Sequence, residues 1–155
     1  MSHAALVGLI SDTHGLLRPE AVSALSGCGL IIHAGDVGDP AILERLEALA
    51  PVVAVRGNID TGAWASGLPE TAVAEAGSFR MYVLHDVKQL AINPAAEGFS
   101  MVVSGHSHKA GRSERDGVVY VNPGSAGPRR FRLPVTLARL DLRTSPARVE
   151  FVELG

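Results

Sequence analysis

The chain has 155 residues, with 14 basic and 16 acidic side chains and a formal charge of -2. Hydrophobic residues make up 46% of it, yet no apolar run approaches the roughly 20 residues that cross a bilayer. The lone Cys28 excludes an internal disulfide framework, and the lack of a general basic face argues against strong nucleic-acid binding. We therefore expect one cytoplasmic domain over residues 1–155, without a membrane segment.

The first half of the chain predicts strands that alternate with helices. The strands are short apolar runs rich in branched side chains, at residues 4–10, 30–33 and 52–55. Pro19 favours a helix over residues 19–26, because proline suits the first helical turn. Asp39 and Pro40 favour a second helix over residues 41–49. Its expected buried stripe is Ile42, Leu46 and Leu49.

The second half predicts strands that follow one another without long helices between them. These strands are residues 71–75, 79–84 and 101–104, followed by hairpins over 110–121 and 135–152. Residues 87–97 are expected to form a short helix or a loop. The element order predicts an α/β (α+β) fold with two packed sheets and helices outside them.

Five of the apolar runs end in polar clusters. The clusters are Asp12-Thr13-His14, Gly35-Asp36, Gly57-Asn58, His85 and Gly105-His106-Ser107-His108. Because ligand sites in open α/β sheets lie beyond the carboxyl ends of the strands, we expect these side chains to converge. Asp12 and His14 are two residues apart, as are His106 and His108. In extended backbone the two members of each pair would project to the same side.

The residue types in these clusters are those of a metal site. Oxygen and imidazole donors without thiolates suit Mn, Fe, Zn, Co or Ni. Seven ligands are too many for one ion with an open position and suit two ions, with Asp36 as the natural bridging carboxylate. Two divalent ions about 3.5–4 Å apart activate a water and clamp the oxygens of a phosphoryl displacement. The pattern therefore indicates hydrolysis of a phosphate ester.

The whole set of motifs, followed by Asn122-Pro123-Gly124-Ser125, resembles the calcineurin-like metallophosphoesterase superfamily, and within it the small single-domain bacterial and archaeal phosphodiesterases. The resemblance implies two mixed β-sheets packed as a sandwich flanked by helices, the metallo-dependent phosphatase fold. It also implies two divalent ions, with Mn²⁺ preferred over Fe, Zn, Ni or Co. The first would be held by Asp12, His14, Asp36 and His108, and the second by Asp36, Asn58, His85 and His106.

The resemblance further implies a metal-bridging hydroxide that attacks phosphorus, with Asn58, His106 and Asp60 as candidate catalytic residues. The candidate substrate-binding residues are Arg56, Ser125 and Arg130, with Arg129 as an alternative to Arg130.

Two positions depart from the family pattern. Ile59 stands where many members have a histidine that protonates the leaving group, which favours phosphodiesters with good leaving groups over alkyl monoesters. Asp86 follows His85 where glycine is usual. It either adds a carboxylate near the second metal or bends the turn.

Three functions compete on this evidence. The favoured one is a binuclear metal-dependent phosphodiesterase of small or nucleotide-like substrates. A phosphomonoesterase with the same mechanism is disfavoured by Ile59. A non-catalytic scaffold, like the retromer subunit that resembles this family, is disfavoured because every ligand position is filled.

Some motifs also admit structural interpretations. Each cluster taken alone could be a turn or a cap, and His33 is expected in the core or against the ligands. Trp64 and Leu68 are predicted to form either a pocket wall or a subunit contact. The apolar composition is compatible with a homo-oligomer.

Overall fold

The computed structural model describes residues 5–130 and 132–155, which form two five-stranded mixed sheets with few helices. The strands are β1 (Leu6–Ile10), β2 (Leu30–His33), β3 (Val52–Ala54), β4 (Thr71–Ala76), β5 (Phe79–Leu84), β6 (Met101–Val103), β7 (Gly111–Arg115), β8 (Val118–Asn122), β9 (Thr136–Asp141) and β10 (Arg148–Glu153). The helices are α1 (Pro19–Leu25) and α2 (Pro40–Glu47), with short 3₁₀ segments at Ala63–Gly67 and Val87–Gln89. Ala4, the first residue of the predicted first strand, lies outside the described residues. None of the described helices is long and apolar enough to cross a membrane.

The predicted fold class is confirmed by the strand order. The first sheet has the order β10-β9-β1-β2-β3, in which β1, β2 and β3 are parallel. The second has the order β4-β5-β6-β8-β7, in which β5, β6 and β8 are parallel. The carboxyl ends of parallel strands meet at one edge of each sheet. Both sheets therefore deliver the loops that follow their parallel strands to the same end of the sandwich.

Hydrophobic residues fill two layers on either side of the first sheet. Val7 and Leu9 of β1 face the second sheet and pack in a buried cluster with Met81 and Met101. Ile10 belongs instead to a second cluster beneath the helices. This alternation follows from the two-residue period of a strand. Full burial of each such side chain contributes about 1.5–3 kcal/mol to the stability of the fold. The packed sheets therefore hold the loops at their ends in place.

The second helix differs from its prediction at its carboxyl end. Asp39 caps it as expected, because its Oδ1 accepts the backbone N–H of Ala41 at 2.9 Å. Ile42 and Leu46 are buried, but the helix ends at Glu47, so the prediction of Leu49 in the buried stripe is wrong. Leu49 is 36% exposed.

Candidate metal centre

Carboxylates and imidazoles from four of the predicted clusters meet at the end of the sandwich. These side chains form two groups, and within each group the candidate ligand atoms lie within 4.8 Å of one another. One group is Asp12, His14 and His108, and the other is Asp12, Asp36 and His85. Asp36 Oδ2 lies 3.4 Å from His14 Nε2 and 3.3 Å from His85 Nε2. Both Asp12 and Asp36 therefore contact residues of each group, as a shared carboxylate must.

The centre contains four buried ligand atoms that have no hydrogen-bond partner among the described residues. They are Asp12 Oδ1, His14 Nε2, His85 Nε2 and His108 Nδ1. Buried polar atoms in proteins are nearly always paired, since an unpaired one costs about 1–3 kcal/mol. Imidazole and carboxylate donors gathered in this way fit divalent transition-metal ions. The residues present thus fit the metal centre that the motifs imply.

The backbone reaches this arrangement through left-handed conformations. Five predicted ligands have positive φ angles: Asp12 (56°), His14 (47°), Asp36 (56°), His106 (74°) and His108 (63°). Among the described non-glycine residues only Asp116 shares this property. The expectation that Asp12 and His14, and likewise His106 and His108, converge from extended backbone is therefore wrong. Each such residue costs about 1–3 kcal/mol, and strain of this kind concentrates at functional sites.

The Asp12 carboxylate is oriented by bonds to one of its two oxygens. Its Oδ2 accepts the Ser11 hydroxyl at 2.8 Å and the backbone N–H of His106 at 3.1 Å. This leaves Oδ1 facing His108 Nε2 at 3.5 Å. Gly105 makes room for the arrangement, because a Cβ there would stand 2.6 Å from Asp12 Oδ2. Burial raises the pKa of Asp12, against the lowering effects of Ser11 and the histidines.

His85 and Asp36 form a similarly directed pair. His85 Nδ1–H donates to the Ala34 carbonyl at 2.8 Å, which leaves Nε2 directed at Asp36, as in many metal-binding histidines. Burial raises the pKa of Asp36, but His85 and the Ile59 N–H outweigh it and lower that pKa to about 2. Burial lowers the pKa of His85, but the raising effect of Asp36 and of the bond to Ala34 is larger. The pKa of His85 therefore lies above its ordinary value. Asp36 is therefore an ionised ligand at neutral pH.

His33 joins the two aspartate loops beneath the centre. Its fully buried ring accepts the Gly35 N–H at Nδ1 (3.1 Å), so the neutral ring carries its proton on Nε2. Nε2 then donates to the Thr13 hydroxyl at 3.0 Å, and Thr13 donates to the Val37 carbonyl at 2.8 Å. Burial lowers the pKa of His33 to about 4. His33 thus lies against the ligand loops. Sequence reasoning missed Thr13 and Ser11, although both are polar residues directly beside a predicted ligand.

The structure shows the Asp60 carboxylate buried and bonded to backbone groups. Its buried carboxylate accepts three backbone N–H groups, from Gly38 (2.9 Å, Oδ1), Gly57 (2.9 Å, Oδ2) and Val37 (3.1 Å, Oδ2). These bonds tie the Asp36 loop to the Asn58 loop. We therefore replace the expected catalytic role of Asp60 with a positioning role.

Asn58 and His106 lie at the exposed side of the centre and in neither buried group. The His106 ring stands edge-on to that of His85, with centroids 5.2 Å apart. Asn58 and His85 line a cleft of about 440 Å³ together with Arg56 and Asp86. The centre is thus open on the side of the second predicted metal.

Asp86 serves both roles that its sequence position allowed. Its Oδ1 accepts the Lys88 N–H at 3.0 Å and so caps the 3₁₀ segment that begins at Val87. Its Oδ2 lies 3.9 Å from His106 Nε2. An additional carboxylate therefore stands beside a predicted ligand.

The predicted substrate-binding residues have different surroundings. Arg56 lines the cleft but pairs with Glu70 at 3.3 Å. The buried Ser125 donates to the Asp12 carbonyl at 3.0 Å, so it holds the ligand loop and does not project into the opening. Burial lowers the pKa of His108, Asp12 opposes this and Arg130 adds to it. Arg130 is exposed. Arg129 is exposed.

Trp64 and Leu68 do not line this opening. Both are partly buried and pack against the cluster beneath the helices. The predicted subunit contact stays a prediction.

Comparison with known proteins identifies relatives along nearly the whole chain. A family model described as "Calcineurin-like phosphoesterase superfamily domain" matches residues 6–145. A "Probable metallophosphoesterase" of Methanothermobacter thermautotrophicus is 38% identical over 149 residues, which cover 88% of this chain and 86% of that protein. The "Probable metallophosphoesterase YsnB" of Bacillus subtilis is 34% identical over 156 residues, covering 94% and 89%.

Solved structures share the fold at lower identity. An archaeal phosphodiesterase superposes with a TM-score of 0.77 at 22% identity, covering 95% of this chain and 99% of that one. The Vps29 of Entamoeba histolytica, solved with Zn²⁺, superposes with a TM-score of 0.65 at 24% identity, covering 97% and 99%.

Proposed function

Because the chain belongs to the calcineurin-like phosphoesterase superfamily, we propose that it is a binuclear metal-dependent phosphodiesterase of small or nucleotide-like substrates. The observation that carries this proposal is the pair of His and Asp groups whose candidate ligand atoms lie within 4.8 Å of one another, together with buried atoms of these residues that have no hydrogen-bond partner among the described residues. When bound, two divalent cations supply Lewis acidity toward the phosphoryl group and a water of lowered pKa. We propose Mn²⁺ as the metal, with Fe, Zn, Ni and Co as alternatives.

We assign the proposed ligands to two ions that share Asp36. The first ion would be held by Asp12, His14, Asp36 and His108, and the second by Asp36, Asn58, His85 and His106. The side-chain atoms of Asp36 support its shared role, because Oδ2 lies within 3.4 Å of His14 Nε2 and His85 Nε2.

Two of the proposed ligands, together with two arginines, also act on the substrate from the open side. Asn58 and His106 are exposed there, where their N–H groups can donate to phosphoryl oxygens as charge develops on them. The exposed Arg130 guanidinium, whose charge lowers the pKa of His108, would attract the same oxygens. Arg56 lies farther along the cleft, where its pairing with Glu70 leaves less of its charge for the substrate.

The residue beside Asn58 favours diesters over alkyl monoesters. Ile59 is 44% exposed and has no proton to give to a departing alkoxide. A leaving group of low pKa needs no such proton. We therefore expect aryl diesters to react fast and alkyl monoesters to react slowly.

The test compares hydrolysis of bis-p-nitrophenyl phosphate with that of glycerol phosphate, using metal-stripped protein and added Mn²⁺. We expect fast hydrolysis of the diester alone. The Ile59→His variant should narrow the difference, while the matched Ile59→Leu variant should not. Equal rates on both substrates for the unaltered chain would refute the preference.

The alternative is a non-catalytic scaffold with the same fold, like the retromer subunit that resembles this family. A scaffold has no need of a complete ligand set, and every predicted ligand is present here. Metal binding without hydrolysis of either substrate would favour the scaffold.

A further inference from the structure

A groove on the outer face of the second sheet begins beside the candidate metal centre. Its volume is about 320 Å³, and its walls come from β7, β8, Val87 and the loop after β6. Ser107, which lies between His106 and His108, lines the end of the groove nearest the centre. Asn122 fixes that end by donating to the Gly105 carbonyl at 3.0 Å and the Ser107 hydroxyl at 3.1 Å. The groove is thus continuous with the loop that carries two predicted ligands.

The charged residues that line this groove are all basic. Lys109, Arg112 and Arg115 line it, and among the residues that the structure describes no carboxylate does. The intervening acid of β7, Glu114, lines a different cavity, between the two sheets, and Arg112 lines that cavity as well, so Lys109 and Arg115 are the cations particular to the groove. The chain as a whole has a charge of -2. The positive charge is therefore a property of this groove and not of the general surface.

The groove also offers a flat, half-buried surface. Tyr120 lies opposite Ser113 in the β7–β8 ladder. The Arg115 guanidinium stands 5.2 Å from the Tyr120 ring centroid, within the range of a cation–π contact. This contact holds the Arg115 charge over the groove floor. Planar rings and guanidinium groups are the surfaces on which nucleobases stack.

The dimensions suit a group joined to the reacting phosphate. Lys109 directly follows His108, and consecutive Cα atoms are about 3.8 Å apart. From Gly111 to Arg115 the strand advances about 13 Å, at about 3.3 Å per residue. A phosphate held by Lys109 therefore lies within one short spacer of the metal centre, whereas the Arg115 backbone lies about 13 Å beyond Gly111.

We propose that this groove binds a second phosphate, so that the preferred substrates are nucleotide-like diesters carrying one further phosphate group. The proposal rests on the proposed phosphodiesterase function and adds its substrate class. Lys109 binds the second phosphate through charge-assisted hydrogen bonds, and Arg115, farther along the groove, attracts it over a longer distance. Tyr120 and Val87 line the groove beside it.

Two matched substrates test the proposal. Thymidine 5′-(p-nitrophenyl phosphate) and the same ester with a 3′-phosphate both release p-nitrophenolate, so the same bond breaks in each. With Mn²⁺ and low salt, we expect kcat/KM to be about tenfold higher for the 3′-phosphorylated ester, mainly through KM. The advantage should shrink as salt screens the groove.

Variants locate the effect in the groove. Lys109→Ala should bring the ratio of the two kcat/KM values toward one, and Arg115→Ala should lower the ratio less, because Arg115 lies farther from the centre. The ratio cancels any general effect on the metal centre. Arg45→Ala removes an exposed cation from α2, in the other layer, and should leave the ratio unchanged. A ratio near one in the unaltered chain, with bis-p-nitrophenyl phosphate still hydrolysed, overturns the groove and leaves the phosphodiesterase.

A binding measurement covers the case in which no ester is hydrolysed. Titration calorimetry then compares thymidine 3′,5′-bisphosphate with thymidine 5′-phosphate. Tighter binding of the bisphosphate that Lys109→Ala abolishes supports the groove and refutes the hydrolytic function. Equal binding of the two nucleotides overturns both.

Discussion

Replacing Asp60 with asparagine tests whether this residue positions the site or reacts in it. The carboxylate is 3% exposed and accepts the N–H groups of Gly38, Gly57 and Val37 at 2.9–3.1 Å. An amide has one accepting oxygen, so it cannot accept all three. In its better orientation the oxygen serves Val37 and Gly57, while the NH₂ group faces the N–H of Gly38.

The cost follows from these bonds. A hydrogen bond to a charged group contributes about 1.5–3 kcal/mol, and a neutral one contributes roughly half as much. Asp60→Asn loses one bond and weakens two, so we expect it to lower the free energy of unfolding by about 3–5 kcal/mol. Domains of this kind have total stabilities of about 5–15 kcal/mol. The variant should therefore unfold at a much lower urea concentration.

Urea unfolding at pH 7 measures the effect, with Asp39→Asn as the matched control. Asp39 caps α2 through one bond to Ala41, and asparagine caps helices equally well, so the control should change stability by less than about 0.5 kcal/mol. If Asp60→Asn abolished hydrolysis while costing less than about 1 kcal/mol, Asp60 would be a catalytic group and the positioning role would be refuted.

Two further predictions concern His33 and Asp86. Burial lowers the pKa of His33 from 6.5 to about 4, so between these pH values the unfolded chain binds a proton that the folded chain does not. Stability should then fall by about 3 kcal/mol as the pH drops through this window; equal slopes for the unaltered chain and His33→Gln in urea unfolding would contradict this. Asp86→Asn keeps the cap of the 3₁₀ segment but removes the charge beside His106, so calorimetry should show weaker Mn²⁺ binding with an unchanged melting temperature. Asp86→Ala removes both the cap and the charge, so it should lower the melting temperature as well as the Mn²⁺ affinity. Unchanged Mn²⁺ affinity in Asp86→Asn would show that Asp86 acts only as a cap.

The strands and the place of the site follow from local features of the sequence. Each predicted apolar run is a strand, because runs of branched residues bounded by polar clusters have few other stable conformations. The position of the site follows from parallel pairing, which brings the ends of β1 and β2 to one edge. Helix ends are less determined, as Leu49 shows, since capping contacts compete there with the apolar pattern.

The local geometry of the site was not accessible from the sequence, because distant residues impose it. The loop after β1 is bent by hydrogen bonds to the loop after β2: Asp12 N–H donates to the Gly35 carbonyl at 3.0 Å, and His14 N–H to the Asp36 carbonyl at 2.9 Å. These bonds require left-handed backbone at Asp12 and His14, which nothing in residues 11–15 dictates. Asp60 is similar, since Val37 and Gly38, which it accepts from, lie 22–23 residues earlier in the chain.

The most direct test of the central claim is metal content measured together with hydrolysis. Metal-stripped protein should be inactive on bis-p-nitrophenyl phosphate, and titration with Mn²⁺ should restore activity as two ions bind per chain. Asp36→Asn and His106→Ala should bind fewer ions and lose activity together. Hydrolysis by the metal-free chain, or inactivity after two equivalents of Mn²⁺, Co²⁺, Ni²⁺ or Zn²⁺ have bound, would contradict the account.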